Sequence, residues 1–202
     1  VACQRPVSVP QRLRLVDLTT GEIRADVPLD PGYATLAVAP VFLTHRGRPV
    51  VAVAGTDVPG PIVLFDAATG ERQDTTFSLD SGTASVLATG RIEGREVLAA
   101  GGDFDGVRIW DADTGAQLLN LTPEGFRVRA IALGERHGRP VVATATEQYG
   151  RVQVFDAING QPVGRAVDIG RRWPPLVVTS LRVTRFRDDT AVLAAPPRLW
   201  IV

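Results

Sequence analysis

Several residue types are scarce or missing in this 202-residue chain, and each absence removes a class of function. There is no lysine: all 22 basic residues are arginine, they are matched by 22 acidic residues, and the formal net charge is zero. The strong basic field on which non-specific nucleic-acid binding relies is therefore missing, and no nucleic-acid partner is expected. A single cysteine, Cys3, rules out an internal disulfide and leaves the redox compartment open. With two histidines, His45 and His137, and no Cys-x-x-Cys pair, His-x-x-x-His pair or nucleophile elbow, zinc sites and hydrolase triads lack their usual pieces. No metal, cofactor or catalytic residue is expected. Methionine is missing even from position 1, so Val1 reads as a processed terminus or the edge of a fragment. No apolar run approaches the ~20 residues that span a bilayer, so no membrane insertion is expected and a cytoplasmic location is. A chain free of lysine and rich in Arg, Ala, Gly and Pro points to a high-GC bacterial gene. What remains, 45% hydrophobic and 22% charged residues, is the composition of a folded domain and not of a disordered one.

The dominant positive feature is a repeat. Four times an apolar segment runs into an Asp and then a Gly: RLVDLTTG (Arg14 to Gly21), VLFDAATG (Val63 to Gly70), RIWDADTG (Arg108 to Gly115) and QVFDAING (Gln153 to Gly160). The aspartates Asp17, Asp66, Asp111 and Asp156 are spaced 49, 45 and 45 residues apart, a period that marks a repeat array. Gly21, Gly70, Gly115 and Gly160 supply positive φ in a hairpin turn, and the Asp or Thr oxygens cap nearby backbone N–H groups. A second turn recurs as HRGRP (His45 to Pro49), EGRE (Glu93 to Glu96) and HGRP (His137 to Pro140), and both histidines are read as exposed residues of that turn.

Each unit offers four short β-branched and aliphatic segments and no helical stripe, the pattern of a small antiparallel sheet. In the last full copy the strands are expected at Val128 to Leu133, Val141 to Thr146, Arg151 to Phe155 and Gln161 to Ile169, with a turn at Gly134 to Arg139. The almost wholly apolar second segment, VVATAT, reads as a strand covered on both faces.

These residues resemble the WD-repeat (Trp-Asp) β-propeller family, whose four-stranded blades close with a Trp-Asp pair on the third strand. Trp110-Asp111 keeps the pair, GGDFDGVRIWDADTG (Gly101 to Gly115) is the nearest match, and Val16, Phe65 and Phe155 replace the Trp elsewhere. The family's Gly-His pair before the first strand is missing from every unit. Phrases such as GRPVVATA look like propeller domains of high-GC, actinobacterial proteins. Quinoprotein propellers share the Asp-Ala-x-Thr-Gly turn but carry a Trp soon after it, where Arg24, Asp74, Leu118 and Val163 stand here. The resemblance implies an all-β propeller of about 45 residues per blade, with units around 1–30, 31–80, 81–122, 123–170 and 171–202. Three are complete, and partial blades stand at both ends, the last reaching a third strand at Arg198 to Val202. Either Leu176 to Ala195 joins Arg12 to Val27 in a composite blade, or the chain is a segment of a larger ring, the reading preferred here. An unclosed ring would self-associate through its edges.

The expected function is a non-catalytic scaffold that binds other proteins, within a larger bacterial protein, by analogy of fold. The candidate contact is Arg171, Arg172 and Trp173, in a segment preceding a first strand on the family's usual partner-binding face; Arg182, Arg185, Arg187 and Phe186 extend the same arginine-aromatic composition. The alternatives are a propeller enzyme or small-molecule sensor using the central channel, as quinoproteins and lactonase-like propellers do, and a decayed copy without separate activity. Asp103-Phe104-Asp105-Gly106 faintly resembles a calcium loop but lacks its third and distant fourth acids, and reads as a hairpin turn.

Overall fold

The computed structural model describes residues 12–29, 38–55, 60–79, 82–103, 106–125, 127–147, 150–169, 178, 180–186 and 189–195. They form sixteen antiparallel strands in five sheets. The first sheet pairs β1 (Arg12–Val16) with β2 (Ile23–Pro28). Three four-stranded sheets follow: β3 (Val41–His45), β4 (Arg48–Val53), β5 (Ile62–Asp66) and β6 (Arg72–Phe77) form the second. The third holds β7 (Ala84–Ile92), β8 (Arg95–Gly102), β9 (Val107–Asp111) and β10 (Gln117–Leu121). The fourth holds β11 (Val128–Arg136), β12 (Arg139–Thr146), β13 (Arg151–Asp156) and β14 (Val167–Asp168). The fifth pairs β15 (Ser180–Phe186) with β16 (Asp189–Ala195). Within every four-stranded sheet the spatial order follows the chain, so each is a meander.

Local chemistry explains these meanders. The turn joining first and second strands has two consecutive residues at positive φ, Arg46/Gly47, Glu93/Gly94 and His137/Gly138, which is the type I′ geometry that matches strand twist. In the fourth sheet this turn is tighter than the sequence suggests. β11 continues to Arg136, so Gly134 lies inside a strand and not in a turn. There it serves close packing, because a Cβ on Gly134 would come within 2.5 Å of the Val183 Cβ in β15. The fourth strand is also shorter than the expected Gln161 to Ile169: only Val167 and Asp168 ladder with β13, beside an isolated Phe155–Pro162 bridge. Pro162 has no N–H to donate, and Gly164 turns the chain at φ 80°, so the ladder is interrupted.

The core lies between the sheets, in successive seams. Leu13, Leu15 and Ala25 pack on Val51, Val53, Val63 and Phe65 at the first seam. Phe77 meets Trp110 at the second, with ring centroids 5.7 Å apart. Leu121 and Phe155 belong to the third, and Val152, Ala130 and Ala145 pack with Val178 and Leu181 at the fourth. From their third residue on, the second strands are buried because they are covered on both faces; Val50 through Ala54 are each 2% exposed or less.

Candidate functional site

Antiparallel alternation sorts the connections between two ends of the array. The turns joining first to second and third to fourth strands share one end; the remaining connections share the other. Both ends present side chains, and the repeat motif itself lies at the first.

Each repeat aspartate builds its turn from its own atoms. Oδ1 of Asp17, Asp66, Asp111 and Asp156 accepts the backbone N–H groups two and three residues on, at 2.8 to 3.2 Å. Gly21, Gly70, Gly115 and Gly160 donate their N–H to the carbonyl of the same Asp and sit at φ 72–74°. Thr20, Thr69 and Thr114 accept the next N–H through Oγ1, and Asn159 does so through Oδ1. Backbone donors hold all four carboxyls below the ordinary Asp range, at Thr19 for Asp17, Thr69 for Asp66, Thr114 for Asp111 and Ile158 for Asp156.

An arginine that sequence reading missed completes the motif. It begins the second strand and faces the aspartate: Arg139 Nη2 lies 3.4 Å from Asp156 Oδ2, and the charges of Arg48 and Arg95 lower Asp66 and Asp111. In the first sheet Arg24 bonds Asp17 instead. The signal was present, since an Arg follows the turn glycine at Gly47, Gly94 and Gly138 alike.

The seam between the second and third sheets carries a polar network, and here the histidine expectation needs correction. His45 is not an exposed turn residue; it is the last residue of β3, one position before the turn, and it is buried. Its Nδ1 lies 2.6 Å from the Ala112 carbonyl and its Nε2 3.2 Å from Thr75 Oγ1. A carbonyl can only accept, so Nδ1 carries a proton, and Nε2 pairs with the Thr75 hydroxyl. Alongside, Thr44 N–H donates to Glu96 Oε1 at 2.6 Å and Arg46 N–H to Asp113 Oδ1 at 2.5 Å. A polar groove of about 370 Å³ opens there, lined by Thr44, Arg91, Arg95, Glu96, Asp111 and Asp113 among others. His137 is an exposed turn residue.

At the opposite end, charged side chains bridge the third and fourth sheets. Arg127, at φ 50°, lies 3.3 Å from Asp103 and 3.8 Å from Glu147, and Arg129 lies 2.9 Å from the same Glu147. Asp103 thus faces an arginine; Phe104 and Asp105 lie outside the described residues. Among the described residues no three His, Cys, Asp or Glu side chains gather as metal ligands would. Arg151 spans Asp168, at 2.6 and 3.2 Å, and Glu124, at 2.7 Å, and the bond to Asp168 raises its pKa. Arg171, Arg172, Trp173 and Arg187 lie outside the described residues; Arg182 is exposed on β15.

No family model matches the chain, and no curated protein does. Two crystal structures of computationally designed proteins are similar to it. Both are β-propeller-like. The Ika4 protein matches at a TM-score of 0.57 and 18% identity, over 79% of this chain and 91% of Ika4. The Ika8 protein matches at 0.62 and 19%, over 89% of this chain, which spans about half (51%) of Ika8. At such identity the likeness concerns the fold alone.

Proposed function

We propose that this chain is a WD-repeat-like β-propeller, with three complete blades and partial blades at both ends, that serves as a non-catalytic protein-interaction scaffold within a larger bacterial protein. The observation that supports it is the use made of the polar side chains. The four repeat aspartates close turns, His45 ties two sheets together, and Glu96 and Asp113 hold backbone N–H groups across a seam. Groups that would do chemistry in an enzyme are spent on making a rigid frame, and a rigid frame carrying variable connections is what partner binding needs. Arg171, Arg172 and Trp173 remain the candidate contact, since they fall in the connection between a fourth and a first strand and combine arginine with an aromatic anchor.

The test compares the wild-type chain with an Arg172→Ala/Trp173→Ala variant. Proteins retained from a lysate of the source organism are quantified by mass spectrometry, and both chains are melted in a calorimeter. At least one partner should be lost by the variant, at an unchanged melting temperature. Undiminished retention by the variant removes this contact site, and turnover of a small molecule by the purified chain removes the scaffold reading.

A further inference from the structure

A repeat separates the frame, which recurs, from side chains that one unit adds to it. In all three four-stranded sheets the second strand opens with an Arg, and the carbonyl of the next residue accepts the N–H of the residue after the repeat aspartate: Pro49 from Ala67, Glu96 from Ala112 and Pro140 from Ala157, at 2.9 to 3.0 Å. Proline fills the place twice, so the frame needs only the carbonyl there, and the Glu96 carboxylate is an addition. The third residue of the Asp turn behaves alike: Ala68 and Ile158 stand where the third sheet has Asp113. Both added acids fall at one seam. With Asp111, Arg91 and Arg95 they line the polar groove of about 370 Å³ between the second and third sheets.

The charges of that groove are only partly spent. Glu96 gives Oε1 to the Thr44 N–H and Asp113 gives Oδ1 to the Arg46 N–H, which fixes both carboxylates on backbone. Glu96 Oε2 has Arg91 at 3.9 Å, beyond hydrogen-bond length, and that arginine side chain is 73% exposed. Among the described residues no cation pairs with Asp113. Three carboxylates against two guanidiniums leave the groove a surplus of one negative charge, and no aromatic ring lines it on which a planar group could stack. The equivalent place at the next seam is apolar: Ile92, Leu118, Leu119, Ala157 and Ile158 line a notch of about 150 Å³. Groove and notch both touch the β7–β8 turn, at Gly94 and Glu93, and they share Arg95.

We propose that this turn end of the third sheet docks an arginine-bearing segment of a partner protein, with the arginine in the polar groove and an aliphatic residue of the same segment in the notch. A guanidinium is always charged and carries its donors in a planar fork, so it meets Glu96 and Asp113 together and displaces the loosely held Arg91. Both carboxylates are already fixed by backbone N–H groups, so little is lost in ordering them on binding. The aliphatic side chain covers Ile158, which is 46% exposed, and Arg95 between the two subsites faces the carbonyls of the bound segment. This contact rests on the scaffold reading above and deepens it, at residues other than Arg171, Arg172 and Trp173.

The test titrates the nitrogen-15-labelled chain with capped peptides carrying one arginine and one leucine, separated by serine runs of increasing length. The amide signals of Thr44, Arg46, Glu96 and Asp113 should move with at least one peptide, and should stay in place when glutamate replaces its arginine. A Glu96→Gln/Asp113→Asn variant keeps an oxygen for the Thr44 and Arg46 N–H groups but loses the charge, so it should bind about tenfold more weakly at an unchanged melting temperature. Ile158→Ala, at the place where the second sheet has Ala68, keeps the fold and should erase the advantage of leucine over serine in the peptide. No binding of any peptide, equal binding of the glutamate counterpart, undiminished binding by the double variant, or a leucine advantage that survives Ile158→Ala overturns the proposal. If the chain still retains lysate proteins in that case, this contact falls and the scaffold reading stands.

Discussion

Trp110 is the residue on which the seam argument can be measured most directly. It is 3% exposed, belongs to the apolar cluster between second and third sheets, and contacts Phe77 with centroids 5.7 Å apart. Truncating a buried Trp or Phe to Ala costs about 3–5 kcal/mol, and the lost aromatic pair lies within that figure and not on top of it. Against a domain stability of about 5–15 kcal/mol this is a large share. With a melting shift of roughly 2–4 °C per kcal/mol at this chain length, Trp110→Ala should melt about 6–20 °C lower. Trp110→Phe should behave differently, because Phe65 and Phe155 occupy the same place at the neighbouring seams and are buried as well. A large-to-large apolar exchange there should cost under about 1.5 kcal/mol. Calorimetry on the three chains at one concentration decides the matter. If alanine and phenylalanine cost the same, or if alanine costs under about 1 kcal/mol, the seam does not carry the array and the reasoning fails.

The four repeat aspartates have lowered pKa values, which gives a pH dependence of definite sign. A carboxyl lowered on folding adds stability that is complete above its unfolded value, near 3.8, and is lost as pH falls through the folded value. Melting temperature should be level from pH 7 to 5 and fall below about pH 4; Asp111→Asn, which keeps an acceptor oxygen, should shrink that fall. Removing the acceptor altogether, as in Asp111→Ala, should cost about 1 kcal/mol in urea unfolding at pH 7, as loss of a cap does. His45→Ala strands the Ala112 carbonyl in a buried seam and should cost about 1–3 kcal/mol by urea unfolding; a cost within about 0.5 kcal/mol would refute the buried placement. Gly134→Ala pushes a methyl onto Val183 and should cost about 1–3 kcal/mol by urea unfolding, and a neutral result would mean that β11 and β15 do not approach so closely.

Local order was legible because it is written in neighbouring residues. The Asp-x-x-Thr-Gly turn is built within its own six residues, so its recurrence predicted the hairpins, and the β-branched and aliphatic segments between its copies predicted small antiparallel sheets of four strands. Apolar runs such as VVATAT declared strands covered on both sides. What could not be read was what crosses from one sheet to the next. His45 and His137 look alike in sequence, both close to Gly-Arg-Pro, and one residue of register separates a buried link from an exposed turn. Gly134 looks like a turn glycine until Val183, far along the chain, is seen against it. The arginines facing the repeat aspartates were visible in the same way, but only pairing of second with third strands gives them a role.

The self-contained turn has a consequence for variation. In DLTTG, DAATG, DADTG and DAING the first and last residues are constant, while the third is Thr19, Ala68, Asp113 or Ile158, exposed every time. Its backbone N–H is what the aspartate holds; its side chain is left to solvent or to a neighbour, as when Asp113 takes the Arg46 N–H. Apart from Asp113, which links two sheets, such a position can change identity at little folding cost, so a row of exchangeable side chains lies along one end of the array, an alphabet that natural drift or a combinatorial library can rewrite while the frame stays the same.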